Sequence, residues 1–216
     1  NVQPGVRRLL PRILQAAQVL DLGCGNGNLA QLLRNQGFCG NYLGLDENVF
    51  FLEQAELALR EADCGMYIFK TGSLAENVWQ NSSPQADAIC SFAAIHHLPS
   101  ALLHQQFFAS VRDKLTPGGC FYLSSWQVLG NPRLEKRIVP WGAQGIPLDQ
   151  LASTDLLLDW RADPGKPAKV RYVHHFSASE LQELGNSQGL LLREEFLSDG
   201  KEGNLGLYQV WQKPPA

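Results

Sequence analysis

The sequence predicts an α/β fold, a doubly wound and mostly parallel seven-stranded sheet with helices on both faces. Three observations predict it. From Ala17 onward, short apolar runs alternate with amphipathic stretches, as successive βαβ units do in sequence. A glycine-rich turn, 21-DLGCGNGN-28, stands between the first apolar run and the first helical stretch. The chain has 216 residues, 44% of them hydrophobic, enough for one sizeable core without metal or disulfide staples. A single domain over residues 1–216 is therefore expected.

The first strand reads at 18-QVLDL-22. Beyond the glycines, Leu29, Leu32 and Leu33 recur at helical spacing, and 41-NYLGLD-46 reads as the second strand. A helix follows near 48–60. Residues 66-MYIFKTG-72 and 87-DAICSFA-93 read as the third and fourth strands. Leu102, Leu103, Phe107, Phe108, Val111 and Leu115 mark one face of a long helix, which Thr116-Pro117-Gly118-Gly119 stops before strand 120-CFYLSSW-126. Residues 127–170 break this rhythm. Pro132, Pro140, Pro147, Pro164 and Pro167 argue against any long regular element there, so an insertion or lid is expected after strand five. Ser177 with Glu180 has the form of a capping box for a helix over 178–188, and strands near 190–197 and 205–212 complete the sheet.

Composition narrows the function classes. A net charge of −3 offers no global attraction to phosphate backbones, so any nucleic-acid partner must be held by a local patch. Between 133 and 171, seven Lys and Arg (133, 136, 137, 161, 166, 169, 171) stand among five acids (135, 149, 155, 159, 163), an excess that a solvated face explains equally well. No run approaches the roughly 18–20 apolar residues of a membrane span, and residues 1–15 carry Arg7, Arg8 and Arg12 with no apolar segment behind them. The expectation is a soluble chain without a leader or membrane contact. Cys24, Cys39, Cys64, Cys90 and Cys120 are odd in number and never spaced as C-x-x-C. They predict a reducing, cytoplasmic setting in which most are small buried hydrophobes, and no metal site.

The chemistry concentrates in the glycine turn. Gly23, Gly25 and Gly27 let the backbone turn sharply and let a ligand lie against it without meeting a Cβ. Their spacing is G-x-G-x-G rather than the G-x-G-x-x-G dinucleotide fingerprint, and Asp21 stands where the loop leaves the strand. That carboxylate disfavours a pyrophosphate, and with it an NAD-dependent dehydrogenase, but favours a ligand bearing an ammonium and a sulfonium. Nineteen residues past Gly27 the second strand ends in Asp46, where doubly wound folds set an acid against ribose hydroxyls.

On Asp21, Gly23, Gly25, Gly27 and Asp46, the chain resembles the class I S-adenosylmethionine-dependent methyltransferases, with their D-x-G-x-G-x-G motif. The resemblance covers nearly the whole chain and implies a Rossmann-like methyltransferase fold, S-adenosylmethionine as cofactor and S-adenosylhomocysteine as product. It implies that the loop, with Cys24 and Asn26, holds the methionine part, that Asp46 and Glu47 hold the ribose, and that Gly72, Ser73 and Leu74 meet the adenine. Ser73 departs from the acid that many members carry there. Ser91, Phe92 and Ala93 end the fourth strand, a position that lines the crevice in open α/β sheets. Of the adjacent histidines that follow, His96 is assigned to the reacting groups and His97 to the cofactor, with no second ligand at metal-site spacing.

A narrower resemblance rests on I-H-H-L at 95–98, L-x-P-G-G at 115–119, Trp126, V-P-W at 139–141 and R-Y-V-H-H-F at 171–176. Together these are similar to the tRNA wobble-uridine carboxymethyl methyltransferases, the group that includes the methyltransferase domain of AlkB-homologue proteins. Asp199, Gly203 and Asn204 resemble that family's D-x-G-N-W segment, with Leu205 in place of Trp. The resemblance implies a tRNA carboxylate as acceptor, Arg171 as its clamp, and Tyr172 and His174 as orienting groups. It also implies an N-terminal lid lying before the first residue here and, in eukaryotic members, a small zinc-finger activator subunit. A carboxylate is already an anion at neutral pH, so its methylation needs positioning and exclusion of water rather than a general base. Two other functions fit the same residues: a small-molecule O-, N- or C-methyltransferase with 127–170 as a substrate lid, and a cofactor-binding scaffold that has lost turnover.

Overall fold

The apolar runs of the sequence become the strands of a sheet whose two faces are both covered. The strands of the chain are β1 (Gln18–Leu22), β2 (Asn41–Asp46), β3 (Met66–Thr71), β4 (Ala86–Phe92), β5 (Leu115–Trp126), β6 (Ile138–Val139), β7 (Asp155–Trp160), β8 (Lys169–His174), β9 (Leu191–Ser198) and β10 (Gly206–Gln212). Its helices are α1 (Pro4–Ile13), α2 (Asn28–Asn35), α3 (Val49–Leu59), α4 (Val78–Ser82), α5 (Ala101–Lys114), α6 (Pro132–Glu135) and α7 (Ala178–Ser187). The computed structural model describes residues 2–60, 64–76, 78–147, 149, 151–160 and 169–216; Arg161, Asp163, Pro164, Lys166 and Pro167 of the expected insertion lie outside the described residues.

Seven strands join in the order β3-β2-β1-β4-β5-β10-β9, parallel from β3 to β5, with β10 antiparallel to both β5 and β9. Side chains alternate across β1, so Val19 enters one hydrophobic cluster while Leu20 and Leu22 enter the other. On the first face, α1, α2 and α3 bury Val6, Leu9, Ile13, Leu29, Leu33 and Leu52. On the second, α5 and α7 bury Phe107, Phe108, Val111 and Leu181 against Phe121 and Trp211. Strand order reverses between β1 and β4, and in open α/β sheets the crevice outside the strand tips at such a switch is where ligands bind.

Several expectations change. Leu102 is exposed rather than on the buried face of α5, because at helical pitch it lies about 140° around the axis from Phe107. The Thr116–Gly119 turn is absorbed into β5, whose register with β4 shifts between Ala86 and Ala88. In the 127–170 stretch, β6 and β7 join β8 in a three-stranded antiparallel sheet over Val128, Leu134, Leu156, Leu158 and Val173. Pro132, Pro140 and Pro147 lie outside these strands, so they shape connections without removing ladder hydrogen bonds. Ser177 does cap α7, accepting from Glu180 N at 3.1 Å, but the Glu180 carboxylate turns to His174 instead of completing a capping box. Cys39 and Cys64 form a disulfide, correcting the expectation of unpaired thiols for these two, since Met66 N bonds Gly40 O and brings the loop before β2 against the start of β3. Cys24, Cys90 and Cys120 are free. Among the described residues, no helix is long and apolar enough to cross a membrane.

Residues 4–13, unassigned from the sequence, form α1. Val6, Leu9, Leu10 and Ile13 recur at helical spacing and are buried, while Arg8 and Arg12 reach Glu194 at 2.7 and 2.6 Å. Gly5 N donates to Asp199 Oδ1 at 2.9 Å, and the Tyr208 hydroxyl donates to Asp199 Oδ2 at 2.5 Å, so one buried carboxylate joins the helix start to β10. A Cβ on Gly5 would stand 2.3 Å from Tyr208 Cζ. Gly5→Val is therefore expected to dislodge α1 and lower the unfolding free energy by about 1–3 kcal/mol. A urea midpoint equal to the parent's would show that this contact does not hold the helix.

Candidate active site

At the tip of β1 the chain turns at once through Gly23, Cys24 and Gly25. Gly23 N and Cys24 N both donate to Leu45 O, at 2.8 and 2.9 Å, which ties the loop across β2. Gly23, Gly25 and Gly27 have φ values of 81°, 54° and 73°, a region that side chains disfavour. A Cβ on Gly23 would meet Ala94 Cβ at 2.5 Å, whereas one on Gly25 would meet nothing within 4 Å and would stand in open crevice.

Two cavities flank this loop and share Gly23, Gly25 and Ala93 in their walls. The first, of about 310 Å³, also has Asp21, Cys24, Asn26 and Phe92, together with Trp126 and Tyr208. The second, of about 570 Å³, has Asp46, Glu47, Gly72, Ser73, Leu74 and His97, together with Arg171 and Tyr172 of β8. Two of the expected cofactor residues stand apart. Gly27 is the N-cap of α2 and shapes the loop without lining either cavity. Ser91 is fully buried and lines neither cavity, because alternate residues of β4 point to opposite faces of the sheet.

Electrostatics make the first cavity distinctive. Asp21 is 3% exposed, and its Oδ2 accepts the Tyr42 hydroxyl at 2.5 Å. Burial pushes its carboxyl up to about 7; the Tyr42 bond opposes the rise and Asp46 adds to it. Among the described residues no cationic side chain enters that balance. A ligand ammonium would supply the missing charge, so the cavity suits the amino-acid end of a sulfonium nucleoside. Asp46 is held differently, with Oδ2 accepting from Gly25 N at 2.8 Å and Oδ1 from Asn48 N at 2.9 Å, and each oxygen can still accept a second donor such as a ribose hydroxyl. Between the cavities, Ala93 has a φ of 55° although it is not glycine, and its N–H is shared by Ser124 O and Oγ at 3.1 and 3.0 Å. Strain of this kind concentrates at functional sites.

The structure gives the crevice-facing place to His97 rather than His96. His97 Nδ1 lies 2.9 Å from Tyr172 O, which can only accept, so Nε2 carries the lone pair. Burial holds its pKa below the usual value, against the Tyr172 bond and with help from Arg171. His96 is fully buried with its ring 4.8 Å from that of Trp126, and it lines neither cavity. The two diverge because Ile95–His97 is a turn of 3-10 helix. His174 also stands outside the crevice, with Nδ1 2.7 Å from Asp155 Oδ1 and Nε2 2.9 Å from Glu180 Oε1. Arg171 and Tyr172 do border it. The Tyr172 hydroxyl donates to Asp155 Oδ1 at 2.6 Å, and burial with that bond keeps it a neutral phenol.

Other residues had no site assignment from the sequence. Val2, Gln3 and Val6 border the first cavity, so the residues around α1 supply a wall where an absent lid was expected. Their signal was the apolar spacing of α1. A third cavity, of about 550 Å³, shares Gln3, Trp126 and Leu205 with the first and is bordered by Arg133, Arg137 and Lys201, with Glu202 among them. Arg137 is braced by Asp159, Nε to Oδ1 at 3.3 Å.

Comparison with known proteins agrees with this geometry. A family model described as a methyltransferase domain matches residues 1–195. The chain is 32% identical over 162 residues to trans-aconitate 2-methyltransferase of Variovorax paradoxus (strain S110), covering 73% of this chain and 59% of that protein. It is 31% identical over 120 residues to the protein of the same name from Rhizobium leguminosarum bv. trifolii (strain WSM2304), covering 53% and 41%. The chain thus spans roughly half the length of these curated relatives. A SAM-dependent methyltransferase of Methanosarcina mazei has a similar fold, with a TM-score of 0.71 at 22% identity over 92% of this chain and 93% of that one.

The Asp21 balance generates a pH dependence. A cation pairs with the ionised carboxyl, so cofactor binding lowers its pKa from about 7 and is favoured above that pH. Affinity for S-adenosylhomocysteine is expected to be flat between about pH 7.5 and 8.5 and to fall by up to about tenfold per unit below about 7, with a proton released on binding near neutrality. Calorimetry in buffers of different ionisation enthalpy measures both. Asp21→Asn should abolish the slope and weaken binding by about tenfold or more. It should also raise the thermal midpoint of the unliganded protein at pH 8, because an acid whose folded pKa lies above its unfolded one costs stability once both states are ionised.

Proposed function

The chain belongs to the methyltransferase-domain family, matched over residues 1–195, and from that premise we propose that it methylates a small carboxylate-bearing molecule. The family's cofactor, S-adenosylmethionine, supplies an electrophilic methyl group when bound. Asp21 would hold its ammonium, Asp46 and Glu47 its ribose, and Gly72, Ser73 and Leu74 would border its base.

The observation that carries the acceptor class is the third cavity. Its volume of about 550 Å³ suits a small molecule, it adjoins the glycine-loop cavity through Gln3, Trp126 and Leu205, and Arg133, Arg137 and Lys201 border it. The two relatives named trans-aconitate 2-methyltransferase support the same class. In this reading the cations hold a carboxylate by charge-assisted hydrogen bonds, while Trp126 and Leu205 shield it from water. The chain's own part would be to hold a carboxylate oxygen in line with the methyl group, whose S–C bond would break as the ester C–O bond formed, with no proton to move. His174, with both ring nitrogens engaged, needs no part in proton transfer. From the segment after β5, Arg133, Leu134 and Arg137 would border the acceptor.

A tRNA carboxylate is the second acceptor. The position of Arg171 at the second cavity favours it, since this guanidinium could clamp a carboxymethyl group there, and a small activator subunit would then be a candidate partner.

With a labelled methyl donor, the protein is expected to label trans-aconitate or a related small polycarboxylate, giving a base-labile ester, and to leave bulk tRNA unlabelled. Arg133→Ala combined with Lys201→Ala should lower kcat/KM by at least about tenfold while S-adenosylhomocysteine affinity stays within about twofold. Label in tRNA with none in any small carboxylate would overturn the proposal in favour of Arg171 as the clamp. Tight cofactor binding with no labelled acceptor of either kind would favour a scaffold.

A further inference from the structure

We propose that His104, His174 and Glu180 form a divalent transition-metal site, best matched to zinc, that fastens β8 to α5 and α7. Each residue offers one ligand atom, and these atoms all lie within 4.8 Å of one another. They come from three separate elements: His104 from α5, His174 from the end of β8 and Glu180 from the first turn of α7. His174 Nε2 already stands 2.9 Å from Glu180 Oε1. Bonds of about 2.0–2.2 Å in a tetrahedron set ligand atoms about 3.4 Å apart, so the widest pair must close by up to about 1.4 Å, a movement on the scale of side-chain rotation.

The second ring nitrogens mark the cluster more sharply than distance does. Metal-bound histidines almost always give their other N–H to a carbonyl or carboxylate, which fixes the tautomer and aims the lone pair. His104 Nε2 lies 2.8 Å from Leu98 O, which leaves Nδ1 as the acceptor nitrogen of that ring. His174 Nδ1 lies 2.7 Å from Asp155 Oδ1, which leaves Nε2 facing Glu180. Asp155 is itself fixed by the Tyr172 hydroxyl at 2.6 Å and by Ala152 N at 2.9 Å. Charge balances as well, since Glu180 within the site and Asp155 behind it offset a dication. His104 and His174 are buried, and the Phe176 ring packs 4.6 and 4.5 Å from theirs. The proton between His174 Nε2 and Glu180 leaves to solvent as the metal enters, and a solvent molecule completes four-coordination. Without metal, His174 simply bridges the two carboxylates. The site would steady the strand that carries Arg171 and Tyr172 to the second cavity, so it acts on the crevice through β8.

The test is zinc titration of the chelator-stripped full chain at pH 7.5 against a chromophoric competitor. One equivalent is expected to bind with Kd below about 1 µM. His104→Gln and Glu180→Gln should each weaken binding by at least about tenfold while still binding S-adenosylhomocysteine as the parent does, which shows that they fold. Cobalt substitution should give the visible bands of a tetrahedral nitrogen and oxygen site. Sub-stoichiometric zinc, parental affinity in both variants, or a thiolate-to-cobalt charge-transfer band pointing to Cys24, Cys90 or Cys120 would each overturn the proposal. Loss of methyl transfer with zinc binding intact would instead count only against the acceptor reading.

Discussion

A carboxylate buried at the tip of β1, with no cationic side chain among the described residues to balance it, is the constraint on which the rest of the molecule depends. Asp21 loses hydration there, and the hydroxyl of Tyr42 recovers only part of what is lost. Such a group destabilises the unliganded fold, which natural sequences tolerate chiefly where function demands it. The surrounding packing is organised to hold it. β1 is central in the sheet, Val19 and Leu20 anchor it in opposite hydrophobic layers, and Leu45 O clamps the loop that follows. A rigid sheet thus presents an unbalanced negative charge to an open crevice.

Around that crevice the chain arranges walls of different character. Small residues on the β1 and β3 loops leave room for a nucleoside, and acids at two neighbouring strand tips suit its cationic and hydroxylic parts. Trp126 at the end of β5 and Leu205 before β10 separate this space from a cavity bordered by cations. In the proposed reading, the acids would face the methyl donor while the cations, with Glu202 among them, would face the acceptor in an adjoining compartment. That segregation suits transfer between a cation and an anion, because each reactant is drawn to its own side.

The three-stranded sheet formed by β6, β7 and β8 ties this arrangement to the core from above. Its own hydrophobic cluster is small, and polar contacts do much of the fastening. Tyr172, Asp155, His174 and Glu180 form a continuous chain of short hydrogen bonds from β7 and β8 to α7, while His97 reaches the Tyr172 carbonyl from the loop after β4. A shift in β8 would consequently be felt at Arg171 and Tyr172 in the crevice wall. Buried networks of this kind specify one arrangement because a partly broken one strands polar groups away from water.

Periodicity and punctuation determined, from the sequence alone, the seven strands, the helices α2, α3, α5 and α7, the glycine loop and the acids at Asp21 and Asp46. These signals are local: apolar alternation, glycine where φ is positive, and proline or glycine at element ends. Arg171 and Tyr172 became candidates through a family resemblance rather than through a local rule. Tertiary structure alone decided which of two adjacent histidines meets the crevice, because a 3-10 turn rotates His96 and His97 apart in a way their spacing does not encode. It alone paired Cys39 with Cys64 and gathered His104, His174 and Glu180, residues of three elements that meet only when those elements pack. It also turned α1 into a cavity wall, since whether an amphipathic helix covers core or ligand depends on the surface it finds. Pattern reports which residues leave water; only packing determines what they meet there.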